Sequence, residues 1–527
     1  MNDPHPSGWT TAYISDLTVA LESGSRPRGG VRGVESGVPS IGGEHLQYDG
    51  SFDFSSIRYV PRDFAARMTR GHIQTNDILI VKDGATTGKM SFVDSSFPYR
   101  DAVVNEHVFV CRLTHQLEPR FVFHFLSSNE GQQRLLDNFQ GSAQGGINQS
   151  FAANTEIPVA PLPEQIRIVS ALNTLLPRVV GVQQRLARVP RVMKQFRRSV
   201  LSAACSGRLT ADWRENHPSV EPANELFETI TATRKRSYES DCSDAVAMGK
   251  RRRKNPNSNE RSRNLIGELP EIPDTWHYYR LEELCHLVTD GTHRTPTYQA
   301  KGIPFLSVKN VRPFLVRDSD VKFISQKEHK QISARCNPES GDILYTKIGA
   351  TFGYAALVNV DYSFSIFVSL ALLKPVTPHV NSAFTEIVMN SDIVFCQARE
   401  RVSGIGTPDL HLVEIRDFRI PLPPKKEQQE IVRRVRALFA LADQIEARYR
   451  EARKRVDGLP RSILAKAFRG DLVPTEAELA EAEGRSFESA EELLQRIQSS
   501  KTTQPKKKYG TNRPRSHGRP SGPTNGE

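Results

Sequence analysis

The sequence predicts an α+β fold of two mixed α/β domains, each followed by a long helix, because much of the chain is written twice. Ile157–Val169 (IPVAPLPEQIRIV) returns as Ile420–Val432 (IPLPPKKEQQEIV) 263 residues later, with seven of thirteen positions identical. Arg198–Leu209 returns as Arg461–Leu472 at the same separation, so the segment between these blocks keeps one length in both copies. Asp77–Lys89 (DILIVKDGATTGK) returns as Asp342–Tyr354 (DILYTKIGATFGY) at a separation of 265, and Trp9 returns as Trp276 at 267. Solenoid repeats run to about 20–50 residues, so a period this long marks a duplicated domain-plus-helix. Two similar heads on connecting segments of equal length suit an extended ligand that is itself two-fold. Duplex DNA is the obvious candidate.

In chain order, Gly8–Glu156 reads as the first mixed domain. Short β-like runs such as Asp77–Val81 and Val103–Arg112 alternate there with turn clusters at Gly24–Gly30, Gly42–Gly43 and Asp83–Gly88. Trp276–Phe418 repeats the plan, with Ile303–Val311 standing opposite Val38–Leu46. After the first domain, Ile168, Leu172, Leu175, Val179, Val182, Leu186, Val189, Met193 and Phe196 recur at alternating steps of four and three. Ile431, Val435, Leu438, Ala442, Ile445, Tyr449, Ala452, Val456 and Leu459 do the same after the second. That 3.5-residue spacing predicts coiled-coil helices of ~40 residues, ~60 Å long at 1.5 Å per residue. Pro177 and Pro190 should kink or divide the first, whereas the second has Ala440 and Arg453 there. Gly207 and Gly470 supply C-terminal stops, and Glu221–Ile230 against Glu488–Ile497 predicts a short amphipathic helix beyond each.

The net charge is +11 over 527 residues, but it is localised. Gly249–Arg263 carries +6 and Ser499–Glu527 another +6, leaving −1 for the rest. Both segments are Pro/Asn/Ser/Gly-rich and poor in apolar residues, which predicts a solvated linker and tail. The alternative reading is that they raise non-specific, salt-sensitive affinity for DNA phosphates; neither reading supplies sequence specificity. The six cysteines (Cys111, Cys205, Cys242, Cys285, Cys336, Cys396) are scattered without a Cys-x-x-Cys pair, which points to buried thiols in a reducing cytoplasm. No run approaches the roughly 20 apolar residues that a membrane span needs, and MNDPHPSGWT lacks the shape of a signal peptide.

Three paired loops carry the candidate chemistry. Lys82-x-Gly-Ala-Thr86-x-Gly88, followed by Lys89, matches Lys347-x-Gly-Ala-Thr351-x-Gly353. Glycines there let backbone N–H groups approach a phosphate, to which Lys and Thr can also donate; a tight turn between strands accounts equally for the same residues. The spacing is wrong for a nucleotide-binding P-loop, and Tyr354 replaces the final lysine in the second copy. The second pair sets Ser25, Arg26 and Arg28 against Thr292, His293 and Arg294. Arginine there suits phosphate or guanine, although a solvated turn is the plain alternative. The third, Gly141–Asn148 against Ser403–His411, offers Gln144 and Asn148 as readers of adenine edges, although surface amides usually read nothing. The sequence has no Asn/Asp-Pro-Pro-Tyr/Phe run of the kind amino-methylating enzymes use, no Gly-x-Gly-x-x-Gly after a strand and no His/Cys/Asp cluster at metal spacing. Pro408-Asp409 with Glu414 and Arg416 is a faint echo of a nuclease carboxylate pair, unmatched in the first copy.

In order, these features resemble the specificity (S) subunit of Type I restriction-modification systems. The resemblance rests on the Trp at each domain start, the Gly-Asp-Ile-Leu strand (Gly341–Leu344, with Asn76 replacing the glycine in copy one) and the Gly-Ala-Thr-x-Gly loop. An Ile-Pro…Glu-Gln start and a Gly-x-Leu exit to each long helix complete it. It implies a target-recognition domain at 1–160, a central coiled-coil helix at 161–210, a short helix and basic linker at 211–267, and a second target-recognition domain at 268–423. A C-terminal coiled-coil helix at 424–474, a short helix at 475–499 and a disordered basic tail at 500–527 follow. The two long helices would pair as an antiparallel coiled coil and fix the spacer of a bipartite DNA site. Glu164, Gln165, Val182, Leu186, Glu427, Gln428, Ile445 and Tyr449 would serve the coiled coil and its partners. Those partners would be double-stranded DNA, two methyltransferase subunits and motor-nuclease subunits, with S-adenosylmethionine, ATP and Mg bound to the partner subunits and no cofactor or catalysis in this chain. The rivals are a specificity subunit for a fused methyltransferase-nuclease and a non-catalytic coiled-coil adaptor with duplicated binding heads.

Overall fold

A computed structural model describes residues 6–141, 145–247, 269–402 and 408–502. It divides into two units, Met1–Leu186 with Ala452–Glu527, and Ala187–Glu451. The division in space therefore does not follow the division along the chain. Each unit takes one recognition domain, part of the helix that follows it, and a segment from the other copy.

Unit 1 is built on a four-stranded antiparallel sheet in the order Thr18–Ser23, Val108–Leu113, Ile78–Val81, Met90–Phe92. Alternation along Ile78–Val81 explains why all four residues are apolar. Ile78 and Ile80 enter the main core with Phe109, Phe125 and Phe151, while Leu79 and Val81 enter a second core with Ile41 and Val104. Burying such side chains is worth roughly 1.5–3 kcal/mol each. A three-stranded sheet, Arg58–Val60, Val38–Ile41, Val103–Val104, covers the second face, and Thr10–Tyr13 pairs with Glu156–Val159 where the domain closes.

Unit 2 repeats this plan. Its four-stranded sheet runs Cys285–Asp290, Leu370–Pro375, Ile343–Thr346, Ala355–Leu357, and its three-stranded sheet runs Lys322–Ile324, Ile303–Leu306, Ser365–Ile366. Even the irregularity at Thr18/Ala20 recurs at Cys285/Leu287. The hairpin Val311–Arg312 with Leu315–Val316 occurs in this unit.

Two small motifs show why the repeated residues are repeated. Asn76 (φ 72°) and Gly341 (φ 93°) both adopt left-handed backbone, which asparagine tolerates better than other side-chain-bearing residues. The aspartate that follows folds back onto the turn, Asp77 accepting from Gln74 N at 2.7 Å and Asp342 from Glu339 N at 2.8 Å. Each then pairs with the neighbouring strand, Asp77 with Arg112 and Asp342 with Lys374. Gly24 and Gly291 are repeated for space. A Cβ at Gly24 would lie 1.5 Å from Val104 O, and one at Gly291 2.1 Å from Ile366 O.

The first long helix is divided, as its prolines predict, but only one of them acts. Helix Leu162–Leu186 carries Pro177 inside it, whereas Ala187 and Arg188 interrupt it just before helix Val189–Cys205, in whose first turn Pro190 sits. The second is one helix, Lys425–Phe468, with Pro460 inside; it gives Lys425–Glu451 to unit 2 and Ala452–Phe468 to unit 1.

Helix pairing is antiparallel within each unit. In unit 1, Ile168 and Leu172 share a core with Leu464, Ala467 and Phe468, while Gln183 Nε2 donates to Asp457 Oδ1 at 3.2 Å. In unit 2, Arg197 meets Asp443 at 2.8 Å, while Arg434 donates to Leu209 O at 2.9 Å. The predicted seam is not uniformly covered. Ile168, Leu172, Ile431 and Ala442 are fully buried, but Val182, Ile445 and Leu459 are about two-fifths exposed.

The outlying helices are longer than expected in one copy and are not free-standing. Helix Ala223–Ala247 buries Leu226 and Ile230 on the second domain's core, with Ala223 buried beside them and donating its N–H to Thr275 O. Helix Ala490–Thr502 buries Ala490, Leu493 and Ile497 on the first's. Gly249–Arg263 and residues 503–527 of the basic tail lie outside the described residues. No helix among the described residues is long and apolar enough to cross a membrane.

Glu164, Gln165, Glu427 and Gln428 require a correction, since all four are buried within their own units. Gln165 ties Ala160 O to Glu118 N, and Gln428 ties Pro423 O to Asn381 N. Glu164 accepts from Trp9 Nε1 and Glu476 N, and Glu427 from Trp276 Nε1, Thr210 Oγ1 and Arg214 Nη1. These side chains lock each helix start to its domain and are not displayed to a second chain. Val182 and Ile445 are exposed, and Leu186 and Tyr449 half-buried.

Candidate nucleic-acid interface

Loops singled out far apart in the chain meet at one edge of each unit. In unit 1, Gly24 N donates to Asn105 O at 3.2 Å and Lys82 N to His107 O at 2.9 Å. Gly84 N donates to Gly145 O at 3.3 Å and Ile147 N to Lys82 O at 2.7 Å. The Gly24–Arg28 turn, the Lys82–Lys89 loop and Gly145–Asn148 thus frame one site, with Asn105–His107 between them. In unit 2, Thr292 N donates to Ile366 O at 3.0 Å and Lys347 N to Ser369 O at 3.0 Å. Gly349 N donates to Pro408 O at 2.9 Å, and Leu410 N to Lys347 O at the same distance.

Side chains in unit 1 leave cationic groups at this edge. Arg26 and Arg28 are exposed, and Arg26 lies 3.5 Å from Glu106. Lys82 Nζ sits 5.6 Å from the centre of the Phe109 ring and Lys89 Nζ 5.6 Å from that of Tyr48. Ser25 and Thr86 are half-buried. Asn148 is exposed, but its Oδ1 accepts from Ser150 N at 2.8 Å and its carbonyl from Phe151 N, so it shapes the turn before a short helix. Gln144 lies outside the described residues.

Lys347 departs from its counterpart. It is 4% exposed, and its ammonium lies 3.7 Å from Asp290 and 3.8 Å from Asp409. Asp290 also pairs with Arg335 and, at 3.3 Å, with His293. Strand register puts Ser23 in copy one where Asp290 stands, and the bridges of the two lysine loops put Gly146 where Asp409 stands. Lys347 is therefore held inside the domain by its own carboxylates, and the expectation that it faces a phosphate is corrected. Arg294 is exposed, while Thr292 Oγ1 accepts from its amide at 3.2 Å; Thr351 is half-buried, with its carbonyl accepting from Thr346 Oγ1 at 2.6 Å.

The faint nuclease echo resolves into structural contacts. Asp409 faces Lys347, Glu414 is buried, and Arg416 donates to Val288 O at 2.9 Å. Among the described residues no group of three or more His, Cys, Asp or Glu is arranged to hold a metal ion. Sequence reasoning missed Glu44, Arg58, Asn105 and Glu106, which line the same edge of unit 1. Nothing repeats them in the second copy, so duplication gave no signal for them.

A loop edge built twice to one plan, once on each duplicated domain, defines a double-headed recognition protein. The chain belongs to the Type I restriction modification DNA specificity domain family, whose model matches residues 6–188 and 273–452. The Type I restriction enzyme EcoKI specificity subunit of Escherichia coli K12 is 25% identical over 482 residues, covering 89% of this chain and 90% of that protein. The EcoBI specificity subunit of Escherichia coli is 29% identical over 414 residues, covering 78% and 76%. Among solved structures, the HsdS subunit of Thermoanaerobacter tengcongensis matches with a TM-score of 0.54 at 17% identity, over 89% of this chain and 98% of that one. A chain from a structure of type I R-M system complex assembly matches at 0.58, also at 17% identity, over 89% and 99%. Both structural likenesses bear on the fold.

Proposed function

We propose that this chain is the DNA-specificity subunit of a Type I restriction-modification enzyme, each unit reading one half of a bipartite duplex site. The observation that carries this reading is the paired loop edge, equivalent in backbone between units and different in side chains. Lys82, Lys89 and Arg28 in unit 1 and Arg294 in unit 2 hold phosphates and set register, after which neighbouring side chains read base edges. The long helices set the spacer between half-sites. Two methyltransferase subunits and the motor-nuclease subunits carry the chemistry, with S-adenosylmethionine, ATP and Mg bound to them; exposed Val182 and Ile445 offer apolar surface for such partners. The target adenine is presented to the partner's pocket out of the base stack. The complex works in the cytoplasm, where the DNA is.

Modified-base mapping of the host genome, with and without the gene, tests this. Loss of N6-methyladenine at one bipartite motif is the expected result. An unchanged methylation map in a strain whose partner subunits are expressed and active removes the assignment.

A further inference from the structure

The loop edge of unit 1 encloses a pocket of ≈ 180 Å³ whose walls include Arg26, Ser40, Glu44, Arg58, Asn105 and Glu106. The strands and the turn beneath it are the same in both units, although the loop carrying Arg26 is two residues longer than its counterpart. Ser40–Ile41 pairs with Val103–Val104 as Phe305–Leu306 pairs with Ser365–Ile366, and Arg58 lies opposite Ser40 as Lys322 lies opposite Phe305. The turn that follows also coincides: Gly42 N donates to His45 Nδ1 at 2.8 Å and Ser307 N to Asn310 Oδ1 at 3.0 Å. Counting along this shared frame, Glu44 gives way to Lys309, Asn105 to Phe367 and Glu106 to Val368. One scaffold thus presents acceptors in one unit and a cation and apolar groups in the other. A change of side-chain chemistry at fixed backbone stations is what separates reading from holding.

His107 and Asn105 are firmly engaged in this pocket, His107 Nδ1 lying 2.6 Å from Asp83 Oδ1 and its backbone N–H donating to Asn105 Oδ1 at 2.9 Å. His107 Nε2 stands 3.5 Å from Glu106 Oε1. The arginine–glutamate pairs are looser. Arg26 Nη1 lies 3.5 Å from Glu106 Oε1 and Arg58 Nε 3.8 Å from Glu44 Oε1, both beyond good hydrogen-bond length. Exposed pairs of this kind contribute little, so exchanging them for a ligand's groups costs little. Glu106 Oε2 is buried and has no hydrogen-bond partner among the described residues. A buried acceptor without a donor is unfavourable in the free protein, so turning the Glu106 carboxylate outward to meet a ligand's donor relieves that cost.

We propose that this pocket reads one G·C base pair of the half-site bound by unit 1, Arg26 donating to guanine O6 and N7 while Glu106 accepts from cytosine N4. In the major groove these edges lie side by side, as the guanidinium and carboxylate do here, and arginine–guanine and glutamate–cytosine are matched donor–acceptor pairs. The proposal rests on the specificity-subunit reading.

The test is motif mapping in strains carrying wild-type, Glu106→Ala or Glu106→Gln protein, together with binding of the purified full chain to duplexes varied at each position of the wild-type motif. Either variant is expected to relax one G·C position in a single half-site, lowering discrimination there about tenfold or more, with the other half-site and the spacer unchanged. If Glu106→Ala abolishes all modification, the isosteric Glu106→Gln decides, because it preserves the pocket's shape. Variants that keep every position of both half-sites overturn the pocket but leave the function standing. A wild-type gene that imposes no bipartite motif overturns the function, and this inference with it.

Discussion

Trp276 donates its indole N–H to Glu427 Oε2 at 2.8 Å, and Trp9 makes the same bond to Glu164 Oε1 at the same distance. Each bond joins a domain's first strand region to the start of its long helix, and each carboxylate also accepts from a segment belonging to the other copy. A buried carboxylate is costly unless donors surround it. Three converge on Glu427: the indole, the Thr210 hydroxyl at 2.7 Å and the Arg214 guanidinium at 2.5 Å.

Glu427→Ala leaves all three donors without their acceptor, and a loss of about 3–5 kcal/mol is expected. Chemical denaturation measures the total. Hydrogen exchange locates it, with protection lost around Trp276 and Thr210 and retained around Trp9.

Lys82 and Lys347 occupy the same place in their loops and should respond oppositely. Lys82→Ala is expected to leave stability unchanged, weaken binding to a duplex carrying the mapped site, and reduce the salt slope by about one. Lys347→Met should cost about 1–3 kcal/mol of stability by leaving Asp290 and Asp409 less well compensated. Its salt slope should remain that of the wild type.

His124 makes the fold sensitive to acid. Burial, helped by nearby Arg120, holds its imidazole down at about 4, against 6.5 for an exposed histidine, and its Nε2 has no hydrogen-bond partner among the described residues. Between pH 6.5 and 4 the unfolded chain binds a proton that the folded chain refuses. Stability from this group is therefore complete above pH 6.5 and is lost on acidification through that window, by up to about 3 kcal/mol. His124→Phe should flatten this part of the stability–pH curve measured by denaturant titration.

Burial pushes the thiols of Cys111, Cys205, Cys285 and Cys336 up to about 12, whereas Cys396 is exposed. Alkylation at pH 8 should label Cys396 first and leave these four intact until denaturant is added. Peptide mass spectrometry reads the order.

Duplication is legible because equal separations survive in the primary structure, and it locates both domains, both long helices and the converging loops. The break at Pro190 is legible from proline's missing N–H, yet Pro177 shows that a helix held by neighbours can absorb one. Residue type argues for the surface at Glu164, Gln165, Glu427 and Gln428, and burial overrules it. Their repetition together with Trp9 and Trp276 was the available clue. The stripe Ala223, Leu226, Ile230 announces that something covers it, but periodicity cannot say which domain. Lys347 and Asp290 stand 57 residues apart, and only the folded chain brings those charges together.

Helix Ala490–Thr502 covers unit 1, where Ala490 N donates to Gly8 O at 2.9 Å. The domain begun first on the ribosome is therefore finished last. At about 5–20 residues per second, its apolar patch waits tens of seconds or more for a cover encoded some 480 residues downstream. A nascent chain in that interval needs a chaperone, or a loose internal substitute. A premature stop near the 3′ end would injure the N-terminal reading head while sparing the one whose message lies closer to it.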